Sequence, residues 1–311
     1  MGRRRKGRAV SGILVLDKPL ERSSNSAMIV ARAIYKAAKA DHTDALDPLA
    51  SGVLPICFGE ATKFSQYLLD ADKVYRTTVV FGERRSTGDA EGEVVAQADA
   101  SSLAADAVEA ALSQFRGDIL QVPPMHSALK RDGKPLYELA RRGLEVEREA
   151  RPVTISRLEL ESFVPGERAE ASLLVHCSKG TYIRSLAEDI GDALGLGGYV
   201  AALRRLQAGP FEEAQALSFE QLQPLRDREA FDELDALLLP LDAALQHIPC
   251  VLLGDTAADF LVQGQAVFVP QLPDGPLLRL YRGGDESPQF MGIGEILDDG
   301  RVTPRRLLAN M

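Results

Sequence analysis

Apolar and polar positions along the 311 residues alternate between short strand-like and longer helix-like segments. The run GILVLD at 12–17 is apolar and β-branched and ends before a proline, which predicts a buried strand. Residues 23–40 begin with capping residues and predict a helix. Residues 73–82 are rich in β-branched and aromatic side chains and predict a second strand, with alternate residues from Tyr75 to Phe81 on one face.

The middle of the chain continues this mixture. Residues 61–71 predict a helix, and 153–163 and 171–178 predict strands. At 182–194, apolar residues recur at i, i+3, i+4 and i+7, which predicts an amphipathic helix. Because strands and helices interleave without a regular βαβ period, we expect an α+β fold built on a mixed sheet.

The last third differs from what precedes it. Residues 212–249 are acidic and rich in leucine and predict helix packed on the first domain. Short strand patterns separated by Gly, Asp and Pro turns follow, which predicts a compact β-rich module. We therefore divide the chain into domains at 1–248 and 249–311 and expect the small module to depend on the large one for stability.

Composition narrows the class of protein. With 45% hydrophobic and 26% charged residues and a mean hydropathy of −0.08, the chain is typical of a soluble globular protein. No apolar run reaches membrane-spanning length, and the basic N-terminus has no apolar signal core, so we expect a cytoplasmic protein. The three cysteines are far apart, which favours reduced thiols over a disulfide frame. The four histidines form no ligand-spaced cluster with them, so no metal site is predicted.

The net charge of −9 is unevenly distributed. Residues 1–210 sum to +1, whereas residues 211–311 sum to −10. Small basic groups lie within the first part, for example Lys130-Arg131, Arg141-Arg142 and Arg204-Arg205. A basic stripe matters more to nucleic acid than the total charge, so RNA remains a possible partner.

The stretch DHTDALDPLASG at 41–52 places an acid, Asp47, between Leu46 and Pro48. One interpretation is structural, because Asp before Pro commonly opens a turn or caps a helix. The other is a functional carboxylate in an apolar setting. This stretch alone favours the structural interpretation.

Several separated stretches change that balance, because they resemble one family. They are GILVLDKPLERSSN (12–25), DHTDALDPLASGVLPICFGEATKFSQYL (41–68), VPPMHSALKRDGKPLYELARRG (122–143), CSKGTYIRSLAEDIGDALG (177–195), LRR (203–205) and GIGEILDDGRVTPRRL (292–307). In this order they resemble bacterial tRNA pseudouridine synthases of the TruB type, over nearly the whole chain.

The resemblance implies a fold and a reaction. The fold is a bisected mixed sheet with flanking helices, an RNA-gripping insertion at about 122–152 and a PUA-like module at 249–311. The reaction converts uridine 55 in the T-loop of tRNA into pseudouridine, without cofactor or metal. The implied partner is the T-arm of tRNA. We expect a monomer that needs no protein partner.

By the same resemblance, Asp47 is the nucleophile. Breaking and remaking the glycosidic bond requires an ionised carboxylate in a site mostly closed to water, with apolar walls. Burial favours the neutral acid, so a cation should offset it, and the resemblance assigns Arg184. By pattern alone, Arg184 would rather pair with Glu188 one helical turn away.

The resemblance implies roles for other residues, and each of these residues also has a purely structural interpretation. Tyr75 stacks on the uracil and helps to remove the C5 proton, or is a core aromatic. Tyr182 lines the base pocket, or merely starts a helix. His42 fills the gap left by the flipped nucleotide, or forms an exposed ion pair. Leu203 lines the pocket or the core, and Lys18 shapes the first loop or is simply solvated.

Residues 125–152 carry a concentration of basic side chains. They are Lys130, Arg131, Lys134, Arg141 and Arg142. We expect this segment to grip the RNA backbone, with Lys130 and Arg141 as contacts, and to become ordered on binding.

The chain departs from the family pattern at a few positions. Asp41, Asp44 and Glu21 stand where glycine is usual, and Leu196 and Tyr199 stand where Cys and His are common. Extra carboxylates near an RNA-facing cleft are expected to repel phosphate and to raise the pKa of the catalytic acid. An RNA-folding chaperone with impaired catalysis is therefore the alternative function. A phosphotransferase is disfavoured, because its Mg²⁺ carboxylates are not convincingly placed.

Overall fold

The structure is a computed structural model that describes residues 7–42, 44–127, 129–131, 133–283 and 287–309. Its strands β1 to β18 are, in order, Gly12–Lys18, Ala40–His42, Ala50–Phe58, Lys73–Phe81, Glu83–Arg85, Val94–Gln97, Gly117–Gln121, Lys130–Arg131, Lys134–Pro135, Arg151–Val164, Ala169–Cys177, Gly198–Ala208, Phe211–Glu212, Cys250–Leu253, Val267–Phe268, Leu277–Arg282, Gln289–Ile296 and Arg301–Leu307. Its helices α1 to α8 are Ser24–Ile34, Gln66–Leu69, Ala105–Leu112, Leu136–Ala140, Ile183–Ala193, Phe219–Asp227, Phe231–Ala236 and Asp255–Val262. Short 3₁₀ helices cover Gly59–Lys63, Ser113–Phe115, Glu213–Gln215 and Ala243–Leu245.

Nine strands form one sheet, in the order β1-β3-β12-β4-β11-β10-β7, with β2 on β3 and β13 on β12. The central strand β12 is parallel to β3 and antiparallel to β4, so the sheet is mixed. The predicted α+β fold class is confirmed. This junction of three strands carries much of the candidate site.

The sheet is covered on both faces. Leu14 of β1 and Leu54 of β3 point into a large core shared with α1 and α5. Their neighbours Ile13 and Val53 point into a second core on the opposite face. Strands buried on both sides read as continuous apolar runs rather than alternating ones.

Strand β4 follows the predicted alternation. The side chains of Tyr75, Thr77, Val79 and Phe81 are all buried on the same face. The register also places β4 between β12 and β11, so its buried face is part of the main core.

Helix α1 is shorter than predicted, and the expectation of helix across 23–40 is wrong at its C-terminal end. Lys36 adopts a left-handed φ of +49°. Its backbone N–H donates to Ala33 at 3.2 Å, and that of Ala37 donates to Arg32 at 3.0 Å. This pair of bonds is a Schellman motif, which ends a helix and usually uses glycine.

Other element predictions also need correction. Residues 61–71 form a 3₁₀ turn and the single turn α2 rather than one helix, and 212–249 is broken into α6, α7 and 3₁₀ turns. The central strands β3 and β12 were not predicted at all.

The C-terminal strands form a separate sheet, in the order β14-β16-β17-β18-β15, with its own core against α8. It packs on the large sheet, because Ile293 joins the second core and the rings of Phe64 and Phe290 lie 5.5 Å apart. The division at 248/249 stays a prediction. Among the described residues, no helix has the length and apolar character needed to span a membrane.

Candidate active site

The loop that carries Asp47 joins β2 to β3 and is fixed from both sides. Leu46 is buried, and its N–H donates to the Ser24 hydroxyl at 2.7 Å while that hydroxyl lies 3.2 Å from the Leu46 carbonyl. The Glu21 N–H donates to the Pro48 carbonyl at 2.8 Å. The residues on both sides of Asp47 are therefore held by the first helix and the loop before it.

Asp47 pairs with Arg184, as the resemblance implied. The Arg184 Nε lies 2.9 Å from Asp47 Oδ2, and the arginine side chain is only 6% exposed. The rest of the guanidinium donates to the carbonyls of Thr87 and His126 at 3.2 and 2.8 Å. Arg184 is thus held in one orientation. Within the described residues, no ion pair of 4.0 Å or less joins Arg184 to Glu188.

A second acid, Asp89, shares the same arginine. Its side chain is 4% exposed, and its Oδ2 lies 3.6 Å from Arg184 Nη1. The Thr87 hydroxyl and the Glu91 N–H both donate to its Oδ1, at 2.5 and 3.1 Å. Sequence reasoning missed Asp89, because nothing in STGDAEG distinguishes a buried acid from a turn residue.

The pKa of Asp47 lies above its ordinary value of 3.8. Burial is the largest cause; Arg184 and Lys18 oppose the rise, and Asp89 adds to it. Even so, 39% of the Asp47 side chain is exposed to the cavity. The Asp47 carboxylate is therefore only partly closed to water in the chain alone.

The cavity at Asp47 has a volume of about 460 Å³. Most predicted site residues line it, namely Asp47, Tyr75, Arg141, Tyr182, Arg184 and Leu203. Residues without a predicted site role also line it, among them Asp44, Lys73, Asp89 and His126. A volume of this size is within the range of small-ligand pockets.

The two predicted tyrosines lie on different elements. Tyr75 is 8% exposed on β4, and burial raises the pKa of its phenol. Tyr182 precedes α5, where its N–H donates to Gln121 Oε1 at 2.7 Å and its carbonyl accepts from Gln121 Nε2 at 3.0 Å. Burial also raises the Tyr182 pKa, and the charge of Arg184 opposes the rise.

Lys18 lies outside the cavity lining and is fully buried, so the alternative of simple solvation is wrong. Its ammonium donates to the carbonyls of Pro19 and Arg22 at 2.9 and 2.6 Å, which shapes the loop after β1. Burial lowers the Lys18 pKa to about 8, and the charge of Asp47 opposes that change. The two charges therefore affect each other although they share no hydrogen bond.

Two other predicted residues are placed away from the carboxylate. His42 is half-buried on β2, opposite Ile56 of β3, and does not line the cavity. Lys130 is exposed beside a second cavity of about 360 Å³, which Arg148 and Arg151 also line. Arg141 differs from them, because it lines the first cavity and its guanidinium lies 5.4 Å from the Tyr137 ring centre.

The three acids that stand where the family pattern usually has glycine differ from one another in their surroundings. Glu21 adopts a left-handed φ of +61°, the conformation for which glycine is suited. Asp44 lies 3.1 Å from Arg205 and is therefore neutralised, and Asp41 is exposed on β2. Among the main influences on the Asp47 pKa, the acid is Asp89. The predicted effect of Asp41, Asp44 and Glu21 on that pKa stays a prediction, and none of the three is among those main influences.

No group of three or more His, Cys, Asp and Glu side chains within the described part of the chain is arranged to hold a metal ion. The site combines the Asp47 carboxylate and the Arg184 guanidinium, which Asp89 shares, with the phenols of Tyr75 and Tyr182. Such a set suits nucleophilic and acid–base chemistry at a flat polar ring.

Family models cover this site and most of the chain. A model described as TruB family pseudouridylate synthase (N terminal domain) matches residues 32–183. One described as tRNA pseudouridylate synthase B C-terminal domain matches 184–246, and one described as Pseudouridine synthase II TruB, C-terminal, matches 249–308. The class of the chain is therefore that of the pseudouridine synthases, which are isomerases.

Individual relatives agree with the models. The tRNA pseudouridine synthase B of Pseudomonas aeruginosa strain UCBPP-PA14 is 54% identical and covers 97% of both chains. That of Saccharophagus degradans is 51% identical and covers 99% of this chain and 98% of its own. The chain belongs to the TruB family.

Solved structures share the fold at greater distance. An archaeal box H/ACA sRNP Nop10–Cbf5 complex contains a chain with a TM-score of 0.71 and 23% identity, matched over 96% of this chain and 86% of that one. A Cbf5–Nop10–Gar1 complex gives a TM-score of 0.70 at 25% identity, over 96% and 84%.

Proposed function

We propose that the chain isomerises uridine 55 in the T-loop of tRNA to pseudouridine, with Asp47 as the nucleophile acting on a flipped-out uridine. The observation that carries the proposal is the Asp47–Arg184 pair in a cavity also lined by Tyr75, Tyr182 and Leu203. The name of the relatives, tRNA pseudouridine synthase B, supports tRNA as the substrate.

The reaction breaks the bond from ribose C1′ to uracil N1 and forms one from C1′ to C5. The hydrogen at C5 leaves as a proton and N1 gains one, so atoms and charge balance without an oxidant or reductant. Ionised Asp47 adds to C1′ or to C6, or takes a proton so that a glycal forms. Each route needs the carboxylate charged, and Arg184 favours that form.

The base has to leave the RNA stack before any of these routes can begin. Extrusion costs a few kcal/mol, and stacking on an aromatic ring together with phosphate contacts offsets it. Tyr75 offers the ring, while Tyr182 and Leu203 bound the cavity. Seating the base covers the exposed side of Asp47 and strengthens its interaction with Arg184.

RNA contacts outside the cavity complete the proposal. Lys130 and Arg141, both on the segment at 122–152, contact the backbone of the T-arm, and His42 occupies the place of the flipped nucleotide. Lys18 holds the loop after β1. The enzyme acts in the cytoplasm as a monomer without cofactor, metal or obligate protein partner.

Release of tritium from T-arm RNA labelled at uridine C5 tests the proposal. Asp47→Asn preserves size and removes the charge, so we expect label release to fall by at least about 10³-fold while RNA binding changes little. Asp227→Asn, which alters an exposed acid on α6, should behave as the parent does.

Two results would count against the proposal. Release by Asp47→Asn at the parent rate would remove Asp47 from the chemistry. Tight binding without release by the parent would instead favour the RNA-folding chaperone.

A further inference from the structure

Two cations are buried beside the cavity. The Lys73 side chain is 5% exposed and that of Arg205 is fully buried. Each donates to a backbone carbonyl, Lys73 to Leu69 at 3.0 Å and Arg205 to Val53 at 2.8 Å. Carbonyls satisfy hydrogen bonds but carry no net charge, so both cations still need an anion.

Asp44 is the anion that they share. Its Oδ2 lies 3.1 Å from Arg205 Nη1 and 3.5 Å from Lys73 Nζ, and its Oδ1 accepts from the Ala45 N–H at 3.0 Å. In the described part of the chain, neither cation has another carboxylate within 4.0 Å. Asp44 therefore neutralises a buried pair of positive charges from a loop.

The same network reaches the stacking tyrosine. Arg205 of β12 and Tyr75 of β4 are direct partners across the two strands. The charge of Arg205 lowers the pKa of the Tyr75 phenol and that of Asp44 raises it, while burial is the largest influence. On the other side, Asp44 is three residues before Asp47 in the same loop.

We propose that Asp44 is a positioning residue that ties the Asp47 loop to strands β4 and β12 and holds Tyr75 in place. The inference rests on the proposed function, because it gives Asp47 and Tyr75 their roles. Glycine, the usual residue of the family pattern here, would leave Lys73 and Arg205 without an anion. Restoring the pattern with Asp44→Gly should therefore reduce activity.

The test compares Asp44→Asn with Asp44→Asn/Lys73→Met. We expect Asp44→Asn to lower the single-turnover rate of label release by at least about tenfold, because small displacements of reacting groups are costly. Its affinity for T-arm RNA should change by less than about twofold, since phosphate contacts dominate that affinity. Removing the Lys73 charge as well should recover part of both the rate and the melting temperature.

The split between rate and RNA affinity, together with recovery in the double variant, is a readout that a purely structural role would not move. Asp41→Asn is the matched control, because Asp41 is an exposed acid on the adjoining strand; its rate and RNA affinity should equal those of the parent.

The outcomes distinguish a failure of this inference from a failure of the proposed function. If the parent releases label and Asp44→Asn does so equally fast, the positioning role is wrong. The role is also wrong if the double variant recovers nothing. If the parent itself releases no label, the proposed function fails, and the melting temperatures of the single and double variants still decide whether Asp44 neutralises Lys73 and Arg205.

Discussion

At the scale of single residues, the charge of Asp47 is set by opposing neighbours. Burial and Asp89 favour the neutral acid, and Arg184 and Lys18 favour the carboxylate. Arg184 is therefore more than a contact, because its charge lowers the pKa of Asp47 and favours the ionised form. Its own hydrogen bonds to Thr87 and His126 hold that charge in place.

Replacing Arg184 should change the pH dependence of the reaction. Under the proposed function the carboxylate is the active form, so activity should fall as pH drops through the Asp47 pKa, which lies above 3.8. Arg184→Gln removes the largest influence that lowers this pKa, so the acid limb of the rate profile should move to higher pH. Single-turnover rates measured over a pH series that starts at the ordinary aspartate value of 3.8 give the midpoint.

Lys18→Met is the comparison, since Lys18 also lowers the Asp47 pKa but has a smaller effect than Arg184. It should move the acid limb in the same direction by a smaller amount. An acid limb that stays in place in Arg184→Gln would refute the electrostatic role of the arginine.

At the scale of elements, the sequence predicted some features far better than others. The alternation of β4 and the amphipathic helix α5 are strong local signals, and the structure contains both. The end of α1 has no such signal. Glycine usually occupies the left-handed position that ends a helix, whereas here the residue is Lys36, which does not indicate a helix end in the sequence. Strand β3 lacks alternation because it is buried on both faces.

The features of the candidate site also differ in how far the sequence could predict them. The Asp47–Arg184 contact could be anticipated, but only from the family resemblance, since local spacing favoured Glu188 as partner. Asp89 and Arg205 could not be anticipated. Each acquires its role by burial beside an opposite charge, and burial of a polar residue depends on tertiary packing.

The junction of β3 with β12 should be intolerant of a methyl group at Gly52. Gly52 has a φ of +104°, and a Cβ there would lie 2.2 Å from the Arg205 carbonyl oxygen. Gly52→Ala should therefore lower the free energy of unfolding by about 2–4 kcal/mol, from backbone strain plus overpacking. It should also slow label release by the folded fraction, because β12 carries Leu203 to the cavity.

Gly117→Ala is the matched control. Its φ is +85°, but no atom lies within 4 Å of the added Cβ. It should cost about 1–2 kcal/mol from backbone strain alone and leave the rate unchanged. Equal losses of stability in the two variants, measured by urea unfolding, would show that close approach at Gly52 is unimportant.

At the scale of the whole molecule, the net charge differs between the first and last parts of the chain. The first 210 residues are nearly neutral, and the last 101 carry the acidic excess of −10. Several arginines of the last part are neutralised locally, for example Arg282 by Asp255 and Asp259 at 2.8 and 2.9 Å. In the 122–152 segment, Lys130 and Arg142 are exposed, and no carboxylate of the described residues lies within 4.0 Å of either, so they are open to phosphate, whereas the acidic part discourages RNA elsewhere.

This division predicts where the salt dependence of RNA binding originates. Each phosphate contact releases counterions, so the logarithm of the affinity should fall steeply and linearly with the logarithm of salt concentration. Arg142→Gln, at an exposed position of the 122–152 segment, should reduce that slope by about one. Arg228→Gln should leave it unchanged, because Arg228 lies in the acidic part and already pairs with Glu233 at 2.6 Å. Filter binding to T-arm RNA over a salt series measures both slopes. A parent slope near zero would exclude a phosphate-gripping surface, and equal slopes for the parent and Arg142→Gln would locate that surface elsewhere.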